Sequence, residues 1–132
     1  MARHPYLDQL AALGLAPHDH VLFGSGPLLV RGWITDVGDL DVVARGEAWA
    51  AAQRLGPMEY LEEWDVSVVD LGTITIGTRW AIGDPDTDEL IDNAETIAGF
   101  PCARLADVVA YKQISDRPND RLHLSIIESR GC

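Results

Sequence analysis

The chain has 132 residues, 47% hydrophobic and 23% charged, which fits one folded domain and excludes a disordered or collagen-like chain. At this size folding buries roughly two-thirds of the extended surface, so no disulfide or metal is required as a staple. Ten basic against 21 acidic residues give a formal net charge of −11. Such a surface repels phosphate backbones, so stand-alone nucleic-acid binding is not expected, whereas a basic protein partner or a metal-bridged ligand is.

Cys102 and Cys132 are the two cysteines, with no Cys/His spacing around them, so neither a disulfide framework nor a zinc site is expected. No apolar run reaches the ~20 residues of a membrane span, and MARHPYLDQL lacks the apolar core of a signal peptide. The expectation is a cytoplasmic protein without a membrane partner.

In chain order, residues 4–13 read as a helix, with Leu7, Leu10 and Ala11 at helical spacing and Gly14 placed to end it. Val21-Leu22-Phe23 is a short apolar strand running into Gly24-Ser25-Gly26. Pro27 suits the first turn of a short helix over 27–33. Residues 39–43 alternate and then become β-branched, which predicts a strand. An alanine-rich helix follows over 47–55, stopped by Gly56-Pro57. The Val, Ile and Thr of 64–80 predict two strands, roughly 64–70 and 74–80, joined by a tight turn at Gly72. Residues 84–95 are an acidic loop or short helix. Residues 105–115 and 119–129 are helices separated by Arg117-Pro118, the second with Leu122 and Ile126 facing in. The order predicts an α/β fold, one mixed β-sheet with packed helices.

Asp39 and Asp41 carry the strongest chemical signal. Residues i and i+2 of a strand share a face, and two adjacent carboxylates repel unless a cation sits between them. Mg²⁺ (or Mn²⁺) suits such a pair, because it takes one or two carboxylates together with substrate phosphates. The bland alternative is a solvated strand edge. Gly24-Ser25-Gly26 is a turn of the kind that lets backbone N–H groups approach a phosphate, or else a plain strand exit. A Gly-Ser turn for the triphosphate and an Asp-x-Asp strand for the metal together make a coherent nucleotide site. Arg31 lies between them and either meets a phosphate or pairs with Asp36. Lys112 falls on the apolar stripe of its own helix with Leu105, Val108 and Val109, so it must snorkel, pair with a carboxylate or reach into a site.

GSGPLLVRGWITDVGDLDVV resembles the signature of the DNA polymerase beta-type nucleotidyltransferase superfamily. The wider spacing is more similar to the branch of abortive-infection antitoxin and aminoglycoside and lincosamide nucleotidyltransferases. LADVVAYKQISDRPNDRLHLSII is similar to that branch's Leu-x-Asp-Leu-x-x-x-Lys helix with its Arg-Pro-Lys-Asp sequel, and the resemblance spans about residues 20–127. It implies a single nucleotidyltransferase-like domain over 1–132 that binds a nucleoside triphosphate with Mg²⁺. Nucleotidyl transfer would go to a hydroxyl of a protein or small molecule. Gly24 and Ser25 would contact phosphate, Asp39 and Asp41 would bind metal, and Lys112 would approach the nucleotide or the sheet face.

The family's third carboxylate should fall near Thr75, where no acid stands. Asp70 or Asp65 on the preceding strand would have to substitute, and Asp70 also reads as a turn residue. The alternative is therefore a degenerate binding module, an antitoxin-like partner of a basic, toxin-like protein.

Among the remaining residues, Asp84, Asp86, Asp88, Asp92 and Glu95 match the spacing of a Ca²⁺ loop, but Glu89 stands where the glycine belongs. His18 and His20 read as loop residues and His123 as exposed or cap-like. Trp33, Trp49, Trp64 and Trp80 are expected in the core, with Trp33 or Trp80 able to stack on a base.

Overall fold

A computed structural model describes residues 4–130. Helix α1 (Pro5–Ala12) starts where His4 accepts the Tyr6 backbone N–H. The short strand β1 (His20–Phe23) leads through Gly24-Ser25 into α2 (Gly26–Val30), then β2 (Leu40–Ala44), α3 (Gly46–Leu55), β3 (Met58–Leu61), β4 (Val66–Asp70) and β5 (Ile74–Gly77). Helix α4 (Thr87–Asp92), the hairpin β6 (Glu95–Ile97) and β7 (Phe100–Cys102), and helices α5 (Leu105–Ser115) and α6 (Pro118–Arg130) complete the described chain.

One mixed sheet runs β3-β4-β5-β2-β1-β7-β6. β1 is antiparallel to β2 and parallel to β7, while β2 is parallel to β5. The expected α/β architecture is therefore present, with more strands than expected. The edge strands β3 and β6 and the three-residue β7 between β1 and β6 are short and carry no long apolar alternation, so periodicity does not announce them. The strand expected over 64–70 begins only at Val66, because Trp64 and Asp65 turn, Asp65 with φ +49°.

The sheet is covered on both faces, which explains the apolar runs of β1 and β2. Leu22, Leu40, Val42, Ala44, Ile74 and Ile76 pack with α1 and α3 on one face. Val21, Phe23 and Val43 pack with Val108, Tyr111 and Ile127 of α5 and α6 on the other. Because strand side chains alternate, Asp41, flanked by Leu40 and Val42, belongs to the second face. On α6, Ile127 is the buried apolar residue; Leu122, expected inside, is exposed, and the buried residue of that first turn is Asp120. Trp64, expected in the core, is half exposed, and His20, expected in a loop, is buried with its ring bonded to the Ala16 carbonyl. Among the described residues no helix is long and apolar enough to cross a membrane.

The acidic segment forms no Ca²⁺ loop, since each carboxylate has another partner. Asp84 pairs with Arg79, Asp86 caps α4 at the Glu89 N–H, Asp88 and Asp92 both pair with Arg45, and Glu95 pairs with Arg31.

Candidate functional site

Asp39 and Asp41 line one wall of a cleft of about 880 Å³. Facing them are Ser25 from the turn after β1, Tyr111 of α5, and Arg117, Asn119 and His123 around α6. Among the described residues neither aspartate forms an ion pair. Burial pushes the Asp41 carboxyl up to about 7, helped by the neighbouring Asp39 charge and opposed by Arg117 and Lys112. Burial also raises Asp39, against a hydrogen bond donated by Thr75 Oγ1 to its Oδ2 at 3.4 Å. Two neighbouring carboxylates in a cleft, without an ion pair among the described residues, are oxygen donors of the kind a divalent cation can take together with substrate oxygens. Among the described residues no group of three or more His, Cys, Asp or Glu gathers to hold a metal. A substrate would have to supply the remaining ligands.

Gly24 is required by close approach. Its φ is +60°, and an added Cβ would lie 2.7 Å from Asp41 Oδ2. The register explains this, because Phe23 pairs with Asp41 and the chain turns directly over that carboxylate. The turn opens α2 with Ser25 at the N-cap position, but that helix has only five residues and the Ser25 side chain makes no capping bond. The Ser25 hydroxyl instead joins a buried polar group behind the cleft.

Lys112 organises that group. Fully buried, its Nζ donates to Ser25 Oγ at 3.0 Å, Asp120 Oδ1 at 3.1 Å and His123 Nδ1 at 3.1 Å. Three donors meet three partners, so the ammonium is satisfied. An ammonium cannot accept, so His123 Nδ1 is the acceptor and the ring proton sits on Nε2. Burial and the Lys112 charge both lower the His123 pKa, so the ring is neutral at pH 7. Burial likewise lowers Lys112, against the pull of Asp120. Burial alone would raise Asp120; hydrogen bonds from Ser115, Lys112 and Arg117 outweigh it and bring the carboxyl to about 2. Lys112 therefore pairs with a carboxylate and also bonds the serine of the Gly-Ser turn, while it does not itself line the cleft.

The remaining candidates sit apart. Asp70 ends β4 and pairs in register with Thr75, which itself pairs with Asp41. The three share a sheet face, and the Asp70 charge contributes to the rise of Asp39. Asp70 Oδ1 also accepts the Gly72 N–H at 2.8 Å, so it shapes the β4–β5 turn. Thr75 occupies the register position beside the pair. Arg31 does not line the cleft: it donates to Glu95 and to the Pro27 carbonyl. Its expected alternative partner, Asp36, bonds His4 instead. Trp33 lines the cleft, whereas Trp80 is stacked on Phe23 at 4.7 Å.

Sequence reasoning missed His123 and Asp120 as site residues. Their three-residue spacing puts them on one face of α6, and that spacing was the available signal. No family model, no curated protein and no solved structure matches the chain.

Proposed function

We propose that the cleft binds a nucleoside triphosphate through Mg²⁺ (or Mn²⁺) held by Asp39 and Asp41. The protein then transfers the nucleoside monophosphate to a hydroxyl of a protein or small molecule, in a nucleotidyltransferase-like fold. The observation that carries this reading is the unneutralised Asp39/Asp41 pair in a cleft opposite Arg117 and His123. When bound, the ion would neutralise the triphosphate and polarise the reacting phosphoryl group. Arg117, two-thirds exposed at the cleft, is positioned to meet an anionic phosphate oxygen. Lys112 acts at one remove, holding Ser25 and His123 in place. The Gly24 turn keeps the backbone against Asp41. A triphosphate ligand fits a cytoplasmic protein.

Calorimetric titration of ATP, GTP, CTP and UTP, with and without Mg²⁺, tests the reading. Metal-dependent binding that vanishes in Asp39→Asn/Asp41→Asn is expected, together with pyrophosphate release when an acceptor is supplied. A folded protein that binds none of the four nucleotides sinks it.

Thr75 favours a second reading. With a hydroxyl where the resemblance calls for a carboxylate, the chain would bind nucleotide without transfer, as a degenerate module whose acidic surface engages a basic, toxin-like protein. Nucleotide binding with no pyrophosphate release under any acceptor, in wild type but not in a Thr75→Asp variant, would select this alternative.

A further inference from the structure

On the far side of Asp41 lies a second, smaller pocket of about 280 Å³. Val66 and Val68 of β4 and Gly77 of β5 form its floor, Trp64 and Trp80 its sides, and Asp41 and Thr75 its inner end. Residues i and i+2 of β4 share the face of Thr75 and Asp41, so the apolar floor runs directly up to the carboxylate. Helices cover this sheet face over β1 and β2. Over β4 and β5 the described cover is Trp64 and the segment after β5, and Trp64 is half exposed there. Trp80 is a fixed wall, stacked on Phe23 at 4.7 Å and edge-on to Tyr111 at 4.9 Å.

Asp41 stands in the wall of both this pocket and the large cleft. A transfer reaction needs two ligands meeting at one centre. The large cleft has room for a whole nucleotide, whereas the small pocket is below the usual ~300 Å³ of a drug-sized site and takes one ring system. We propose that this pocket is the acceptor site and that it takes a phenol, its ring between Trp64 and Trp80 and its hydroxyl toward Asp41.

The inference rests on the nucleotidyl-transfer reading. The apolar floor and aromatic sides select a flat ring, and Arg79, also in the lining, is already held by the Trp64 and Asp65 carbonyls and by Asp84. Thr75 selects the kind of hydroxyl. The register position beside the pair holds Thr75, and the next acid along, Asp70, is engaged by the Gly72 N–H, so an acceptor that ionises readily by itself suits the site. A phenol does so, with a pKa of about 10, roughly six units below that of water. In the transfer step the phenol oxygen attacks the α-phosphorus and the bond from that phosphorus to the bridging oxygen breaks. Pyrophosphate leaves, and the phenol proton passes to solvent.

The test begins without nucleotide or metal, so that it is independent of the parent reading. p-Cresol is titrated into the ¹⁵N-labelled protein while the Trp64 and Trp80 indole signals are followed. Saturable shifts of both are expected. Binding should weaken about tenfold in Trp64→Ala, read at Trp80, from the lost aromatic contact. Gly77→Ala should weaken it too. Its backbone is not left-handed and its Cβ would meet Val68 and Arg79 only at 3.5 and 3.6 Å, so the variant folds while narrowing the floor. Absent shifts, or affinities unchanged in both variants, overturn the pocket assignment whatever the nucleotides do. With ATP and Mg²⁺ present, p-cresol should stimulate pyrophosphate release more than benzyl alcohol does. N-acetyl-tyrosinamide in place of p-cresol distinguishes a tyrosyl side chain from a free phenol. If ATP binds and p-cresol binds but no phenol stimulates release, the acceptor role is overturned while the nucleotide site stands.

Discussion

Asp41 lies against Gly24 and Asp120 shares Lys112 with Ser25, and burial has been answered differently at each. Burial and the Asp39 charge raise the Asp41 carboxyl to about 7, and among the described residues it has no ion pair. A carboxylic acid whose folded pKa exceeds its unfolded value near 4 holds the fold best while protonated, and that stability is lost as pH rises from about 4 to 7. Asp41→Asn removes the loss. The variant should be more stable than wild type at pH 8 without metal, by about 2–4 kcal/mol, and equal to it at pH 4, as urea denaturation would measure. Asp120 shows the opposite sign. Its pKa is depressed to about 2, so its contribution is full above pH 4 and fades as pH falls toward 2, a change of about 2.5 kcal/mol. Removing it also strands a fully buried ammonium. Asp120→Asn should cost about 3–5 kcal/mol at pH 7, whereas Lys112→Met/Asp120→Leu, which removes both charges, should cost less and lose the acid-side slope.

At the scale of elements, register decides what the site contains. β5 lies parallel to β2 with Thr75 opposite Asp41, and antiparallel to β4 with Thr75 opposite Asp70. Thr75→Asp would place a third carboxylate between two others. The expected result is an apo-protein destabilised by about 1–2 kcal/mol through like-charge repulsion, with the loss reversed by millimolar Mg²⁺ because the ion binds only the folded chain. Thermal denaturation across a Mg²⁺ series checks this, and a variant indifferent to Mg²⁺ would disprove it. The same register explains which parts could be read in advance. Asp39 and Asp41 were legible because period-two alternation needs no partner strand, and Lys112 because a charge on an apolar helical stripe demands a role. Thr75 was legible only through the resemblance, which calls for a carboxylate near it. The Lys112–Asp120–His123 group was not legible, since it depends on how α6 folds back on α5 after Asp116 turns in the left-handed region. Nor was the release of Arg31 from the site, which depends on Glu95 in a three-residue edge strand. Edge strands β3 and β6 draw their order from neighbouring strands, and no local periodicity betrays that.

Across the whole molecule the governing number is the net charge of −11. Self-repulsion of that size works against the compact state, and salt screens it over a Debye length of ~10 Å at 0.1 M. Salt also weakens the ion pairs, but those of Arg79, Arg45 and Arg121 involve well-exposed carboxylates and exposed pairs contribute at most about 1 kcal/mol each. Lys112–Asp120, with side chains 1% and 4% exposed, is shielded from added ions. Repulsion therefore dominates the balance, and the melting temperature should rise by several degrees between 10 and 300 mM KCl. A falling melting temperature would mean that the ion pairs outweigh the net charge. Magnesium separates general screening from the site. At matched ionic strength MgCl₂ should raise the melting temperature further than KCl, because a divalent ion between Asp39 and Asp41 binds the native state alone. That excess should disappear in Asp39→Asn/Asp41→Asn while the KCl response persists. If the double variant keeps the full Mg²⁺ excess, the ion acts on the acidic surface at large, and the aspartate pair is no metal site.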